Sequence, residues 1–98
     1  MAALTELSSN ITEFAGKYKV AAVKVDGATG TAGTVTIDEM DTVVAAFCSL
    51  AAAPTADCAE WVVTDISDNV LTCIGYEDDM ATACTQNAID FYLLAIGY

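Results

Sequence analysis

The sequence predicts a small, mainly β protein, an antiparallel β-sandwich of jelly-roll-like character with one or two short helices. Three observations lead there. The runs EWVVTDI (residues 60–66) and VLTCIGY (70–76) are strand-like and are joined by the short polar turn SDN, which reads as a β-hairpin. KYKVAAVKV (17–25) alternates with the period of two that a strand imposes. Turn-forming clusters separate five or six such runs, the outline of a small sandwich or barrel.

Taken in chain order, the opening segment is the least decided. Leu4, Leu7, Ile11 and Phe14 recur at the period of one helix face, and Gly16 stands where a helix would stop. Against that, the Ser and Asn side chains of SSNIT compete for backbone hydrogen bonds, so residues 1–16 read equally as a short helix or as an extended docking arm. In the alternating run that follows, Ala21, Val23 and Val25 share one side with Lys17 and Lys19, and Tyr18, Val20, Ala22 and Lys24 the other. DGATGTAG then makes a glycine-rich loop, and TVTI resumes as a strand rich in β-branched residues.

DEMDTVVAAFCSLAAAP is ambiguous by period. Met40, Val43, Val44, Phe47 and Ala51 fit a helix with Asp38 as its N-cap, and the alanines favour that reading over Asp38 to Ala52. TVVAAF also suits a buried strand, and Pro54 ends either element because it lacks a backbone donor. After the hairpin, EDDMATACTQNA is a polar connection to the final run, Asp90 to Tyr98, in which Gly97 marks a bend or strand end. There Phe91, Leu93 and Ala95 point one way, and Tyr92, Leu94, Ile96 and Tyr98 the other. Both faces are apolar. A sandwich strand needs only one apolar face, so the second calls for cover by a helix, by the N-terminal arm or by another chain.

Composition bounds the function. Ninety-eight residues make a single domain (1–98), which at this size buries roughly 65% of the surface its unfolded chain exposes. An apolar fraction of 55% is too high for a disordered segment, despite 14 acids against 3 bases and a net charge of −11. Lys17, Lys19 and Lys24 are the only cations, which argues against nucleic-acid binding and against anionic membranes. MAALTELSSNITEF lacks a basic n-region and an apolar core, so no signal peptide is expected, and no run reaches the length of a membrane span.

Chemistry is scarce. The chain has no histidine and no arginine, so a Ser-His-Asp or Cys-His arrangement cannot be built, and the glycine-rich stretch has no phosphate-cradling pattern. Cys48, Cys58, Cys73 and Cys84 form no C-x-x-C pair; they read as buried thiols, with three disulfide connectivities open if the protein meets oxidising surroundings. Carboxylates cluster at Asp38, Glu39 and Asp41, at Asp65 and Asp68, and at Glu77, Asp78 and Asp79. A paired-carboxylate glycosidase needs a substrate cleft that so small a domain seldom provides. Glu77, Asp78 and Asp79 are the candidate calcium ligands, since clustered oxygens on a loop suit a hard cation, although the EF-hand pattern is absent and a solvated acidic turn is the plainer reading. Trp61, Tyr76, Phe91 and Tyr92 read as core aromatics before they read as a carbohydrate platform. No enzyme activity and no cofactor are expected.

GTVTIDEMDTVVAAFCSLAAAPTADCAEWVVTDISDNVLTCIGYEDD, followed by AIDFYLLAIGY, resembles small virion proteins of tailed bacteriophages, in particular head decoration (cement) proteins. The likeness covers about two-thirds of the chain, from Gly33 onward: a G-T-V-T strand, an Ala/Val-rich segment, an S-x-N hairpin and a last strand ending in A-I-G. It implies a non-enzymatic protein made in the host cytoplasm that binds the capsid surface, often as a trimer, and reinforces the shell between major capsid protein subunits. Phe91, Tyr92, Leu94 and Ile96 are then candidate core or contact residues. A tail or fibre module of the virion and a calcium-dependent adhesion domain are the alternatives.

Overall fold

The computed structural model describes residues 3–13, 16–27, 32–84 and 89–98. Among the described residues seven strands form: β1 (Thr5–Glu13), β2 (Lys19–Asp26), β3 (Ala32–Thr36), β4 (Val43–Leu50), β5 (Glu60–Ser67), β6 (Val70–Tyr76) and β7 (Phe91–Gly97). They pair antiparallel in two sheets, a four-stranded one in the order β1-β2-β7-β4 and a three-stranded one in the order β3-β6-β5. The two layers face each other as a β-sandwich. The order is jelly-roll-like: β2, β3 and β4 run out along alternating sheets, the chain turns back, and β6 and β7 return beside β3 and β2.

The β5–β6 hairpin has the expected register, with Ser67 opposite Val70 and a two-residue turn of Asp68 and Asn69. Asp68 takes φ 53, a left-handed backbone that aspartate tolerates better than most residues. The alternation read in KYKVAAVKV is also realised, since Ala21, Val23 and Val25 are buried.

Two helical readings are corrected. Residues 5–13 are strand, not helix, with β1 pairing along β2; Phe14, the last member of the helical spacing, lies outside the described residues. The segment from Asp38 to Ala52 is not a helix either. Its first part is a turn closed by Met40 N–H donating to the Ile37 carbonyl, and its second part is β4. The reason is tertiary: β7 is interior to its sheet and needs a partner on each side, and β4 supplies the second along Leu50 to Ala45. Thr42 and Tyr98 close the end of that ladder by exchanging N–H···O bonds of 2.9 Å, and Asp41 N–H adds 2.7 Å to the Tyr98 carbonyl. Alanine's helix preference of a few tenths of a kcal/mol per residue cannot outweigh an unpaired buried strand edge.

The core lies between the layers. Its largest members are Trp61 from β5, Phe91 and Leu93 from β7, Leu71 from β6 and Met40 from the turn. Trp61 and Phe91 stack at 4.3 Å and 19°, and the Trp61 Nε1–H donates to the Ile89 carbonyl at 2.9 Å, so the one polar atom of the indole is satisfied. Gly75 makes room for that ring: a Cβ there would stand 3.0 Å from Trp61 Cε2. Of the glycine-rich loop expected at residues 26–33, Asp26 ends β2 and Ala32 and Gly33 open β3, while 28–31 lie outside the described residues, as does the end of the polar connection, 85–88.

β1 differs from the other strands. Its register directs Ser9 and Ile11 toward the inner side beside Val23 and Ala21, yet Ser9 is exposed and only Ile11 packs on the core.

Candidate functional site

The site follows from the register of the four-stranded sheet. Directly paired residues share a face, so the outer side reads as three rows across β1, β2, β7 and β4. They are Ser8, Lys24, Tyr92 and Ser49; then Asn10, Ala22, Leu94 and Phe47; then Thr12, Val20, Ile96 and Ala45. The β1 end is polar and the β7–β4 end apolar. Phe47 is 56% exposed and Tyr92 50%, so these rings are turned to solvent, not folded onto their own sheet. Val44, 51% exposed, is the extra residue of the bulge between Val43 and Ala45 and widens the apolar area at the sheet edge.

Ala22 decides the relief of this surface. A one-carbon side chain between larger neighbours leaves a shallow hollow of about 200 Å³, walled by Phe47, Tyr92 and Leu94 and closed at one end by Ser49. The hollow is apolar and open, suited to receiving a side chain from another surface more than to enclosing a small molecule.

Charge is distributed unevenly around it. None of the residues in the three rows is acidic, in a chain with 14 acids, while Lys24 lies in the first row with its Nζ 5.9 Å from the Tyr92 ring centre. Beyond the third row Tyr18 and Tyr98 meet edge to face at 6.0 Å, and the Lys17 ammonium sits 4.1 Å above the Tyr98 ring. Lys19 donates to the Glu39 carbonyl at 2.8 Å.

The residues singled out in the sequence separate clearly. Tyr92, Leu94 and Ile96 lie together on this outer face, as the parity of the last run requires. Phe91 does not: it is fully buried against Trp61, so it is a core residue and is removed from the contact candidates. The four aromatics weighed as a carbohydrate platform also divide, Trp61 and Phe91 into the core, Tyr92 onto the outer side of its sheet, and Tyr76, half-buried opposite Glu60, onto the other sheet. Val44, Ala45 and Phe47 belong to the segment whose period fits either a helix or a buried strand, so the sequence does not place them on an outer face. Their signal was the alternation of Ala45, Phe47 and Ser49 with Ala46, Cys48 and Leu50, which the run of small residues masked.

The acidic turn is built differently from a cation site. Asp79 Oδ1 accepts from the Ala81 and Thr82 N–H groups at 2.9 and 2.8 Å, and Thr82 Oγ1 donates to Oδ2 at 2.6 Å. These bonds, the Thr82 hydroxyl foremost, hold the Asp79 carboxyl below its ordinary range and commit it to closing its own loop. Among the described residues no three metal-ligating side chains converge, at Glu77, Asp78 and Asp79 or elsewhere. Comparison with protein-family models, with curated proteins and with solved structures finds no match to this chain.

Proposed function

We propose that this chain is a non-enzymatic structural subunit of a virus particle, a decoration protein that lays the outer face of its four-stranded sheet on the head shell of a tailed phage. The observation that carries the reading is the composition of that face: three rows without a carboxylate, rich in exposed apolar side chains, on a protein with net charge −11. Elsewhere the net charge works against close approach of an acidic partner. Exposed apolar area of this kind is what an interface core requires, with Phe47 and Tyr92 as the anchors and the Ala22 hollow as the receptor for a partner side chain. The absence of histidine and arginine from the sequence supports a role that needs matched area more than reactive groups. Assembly as a homo-oligomer, with a trimer the expected form, belongs to the same reading, since several copies convert weak contacts into firm attachment.

The test is localisation followed by mutation. Immunogold labelling of particles from the source lysate should decorate the heads at regular intervals. The Phe47→Ser, Leu94→Ser double variant should keep its fold, because both sites face outward, and rebind stripped heads at least roughly 30-fold more weakly, the scale of a hot-spot loss. Label confined to tails would move the protein to a tail or fibre module. Absence from particles with an accessible epitope, or unchanged binding by the double variant, would refute the proposal.

A further inference from the structure

The four cysteines are distributed over four separate segments, yet they meet in two pairs. Cys48 lies on β4 opposite Leu93, on the inner side of the four-stranded sheet, and packs against the core. Cys73 lies on β6, the middle strand of the other sheet, fully buried and opposite Gly33. Their thiols are electrostatic neighbours across the gap between the layers, each shifting the other's titration.

The second pair frames the end of β6. Ala59 N–H donates to the Tyr76 carbonyl on one side of that strand, and Cys84 N–H donates to the Gly75 carbonyl on the other. Cys58 and Cys84 are thereby fixed on either flank. Gly75 between them has no side chain, and a Cβ there would stand 3.1 Å from Cys84 Sγ, so the sulfur passes directly over the strand. Its electrostatic neighbour is the Cys58 thiol, which accepts from the Ile89 N–H at 3.4 Å. Both sulfurs are buried and lie in the same core as Trp61.

We propose that the fold holds its cysteines ready for two intramolecular disulfides of a single connectivity, Cys48–Cys73 across the layers and Cys58–Cys84 across the end of β6. Of the three ways to pair four cysteines, the other two join residues that the fold holds in different pairs. An inter-sheet disulfide is a known means of tying sandwich layers together. The oxidant is a small disulfide such as oxidised glutathione. A protein thiolate attacks one of its sulfurs and expels a thiolate. The second protein thiolate then attacks the mixed disulfide, forming the protein S–S bond and expelling the other, so two protein thiols lose two electrons and two protons while one small disulfide becomes two thiols.

The order of closure also follows. Cys48 is half-buried, whereas Cys58, Cys73 and Cys84 are covered, so the reagent enters at Cys48 and Cys73 resolves the mixed disulfide. The neighbouring Cys73 thiol together with burial keeps the Cys48 thiol protonated while Cys48 lowers the pKa of Cys73, and burial pushes Cys84 up to about 12, so the first attack in each pair is slow at neutral pH and faster in mild alkali. Cys58–Cys84 requires transient opening and closes second.

The test uses the full chain incubated with oxidised glutathione in mild alkali and sub-denaturing urea, followed by alkylation and cleavage before aspartate without reduction. Cuts at Asp57, Asp68 and Asp78 place every cysteine on a different peptide, so each linkage is read directly by mass. The expected result is Cys48 joined to Cys73, then Cys58 joined to Cys84, with a melting temperature raised by roughly 10 °C or more. A Cys48→Ser, Cys73→Ser variant should still form Cys58–Cys84. Any other intramolecular pairing, a disulfide between chains as the main product, or four thiols still open to alkylation after prolonged oxidation would overturn the proposal.

Discussion

Gly75→Ala paired with Trp61→Phe tests how the core that backs the interaction face is built. The added methyl would stand 3.0 and 3.2 Å from Trp61 Cε2 and Cζ2 and 3.1 Å from Cys84 Sγ, inside the usual carbon–carbon separation of about 3.5–4.0 Å. The indole cannot retreat, because it is stacked on Phe91 and tied to the Ile89 carbonyl. Overpacking of this kind costs about 1–3 kcal/mol. Trp61→Phe removes the ring atoms in question but leaves the Ile89 carbonyl unpaired, at about 1 kcal/mol. It also leaves a cavity of roughly 40 Å³, worth about 1 kcal/mol more at about 24 cal/mol per Å³. In the double variant the alanine methyl occupies space the indole has vacated, so much of the clash and part of the cavity disappear together. The two changes should fall short of additivity by about 1–2 kcal/mol, against about 0.5 kcal/mol for independent sites. Urea unfolding followed by far-UV circular dichroism measures all four proteins on one scale, since Trp61, the only tryptophan, is lost as a fluorophore in two of them. Costs that add within about 0.5 kcal/mol would refute the placement of the indole over Gly75.

Three further outcomes are expected. Because its pKa is depressed in the fold, Asp79 protects the Ala81 and Thr82 amides above the ordinary carboxylate pKa. That protection should fade as pH falls through the lowered value and be absent at every pH in Asp79→Ala, as read by amide hydrogen exchange. Glu6 has the opposite sign: burial, then Asp38 and Glu39, raise its pKa, so its charge destabilises the fold above that pKa and not below the unfolded value. Glu6→Gln should therefore raise the melting temperature at neutral pH and leave it unchanged in acid; equal gains at both would contradict this origin. At the hairpin turn, Asp68→Val should cost about 1–2 kcal/mol in chemical denaturation because a β-branched residue resists φ 53, whereas Asp68→Gly should be neutral or stabilising.

The sequence by itself determined the local pieces whose signal is carried within a few residues. SDN between two alternating runs can do little but turn, so the β5–β6 hairpin was legible, and the parity of FYLLAIGY already separated Phe91 from Tyr92, Leu94 and Ile96. What covers each side of that last strand was not legible, because parity divides a strand into faces without saying which faces inward. Only the tertiary structure decided that Phe91 meets Trp61 while Tyr92 is left in solvent. It likewise decided β4, where local alanine preference pointed to helix and the demand of β7 for a second partner prevailed. The pairing of the cysteines belongs to the same class, since Cys48 and Cys73 approach only because two sheets stack. The division has one physical cause: propensity and period act along the chain, whereas strand pairing and layer packing join residues distant in sequence, and no short window contains both partners.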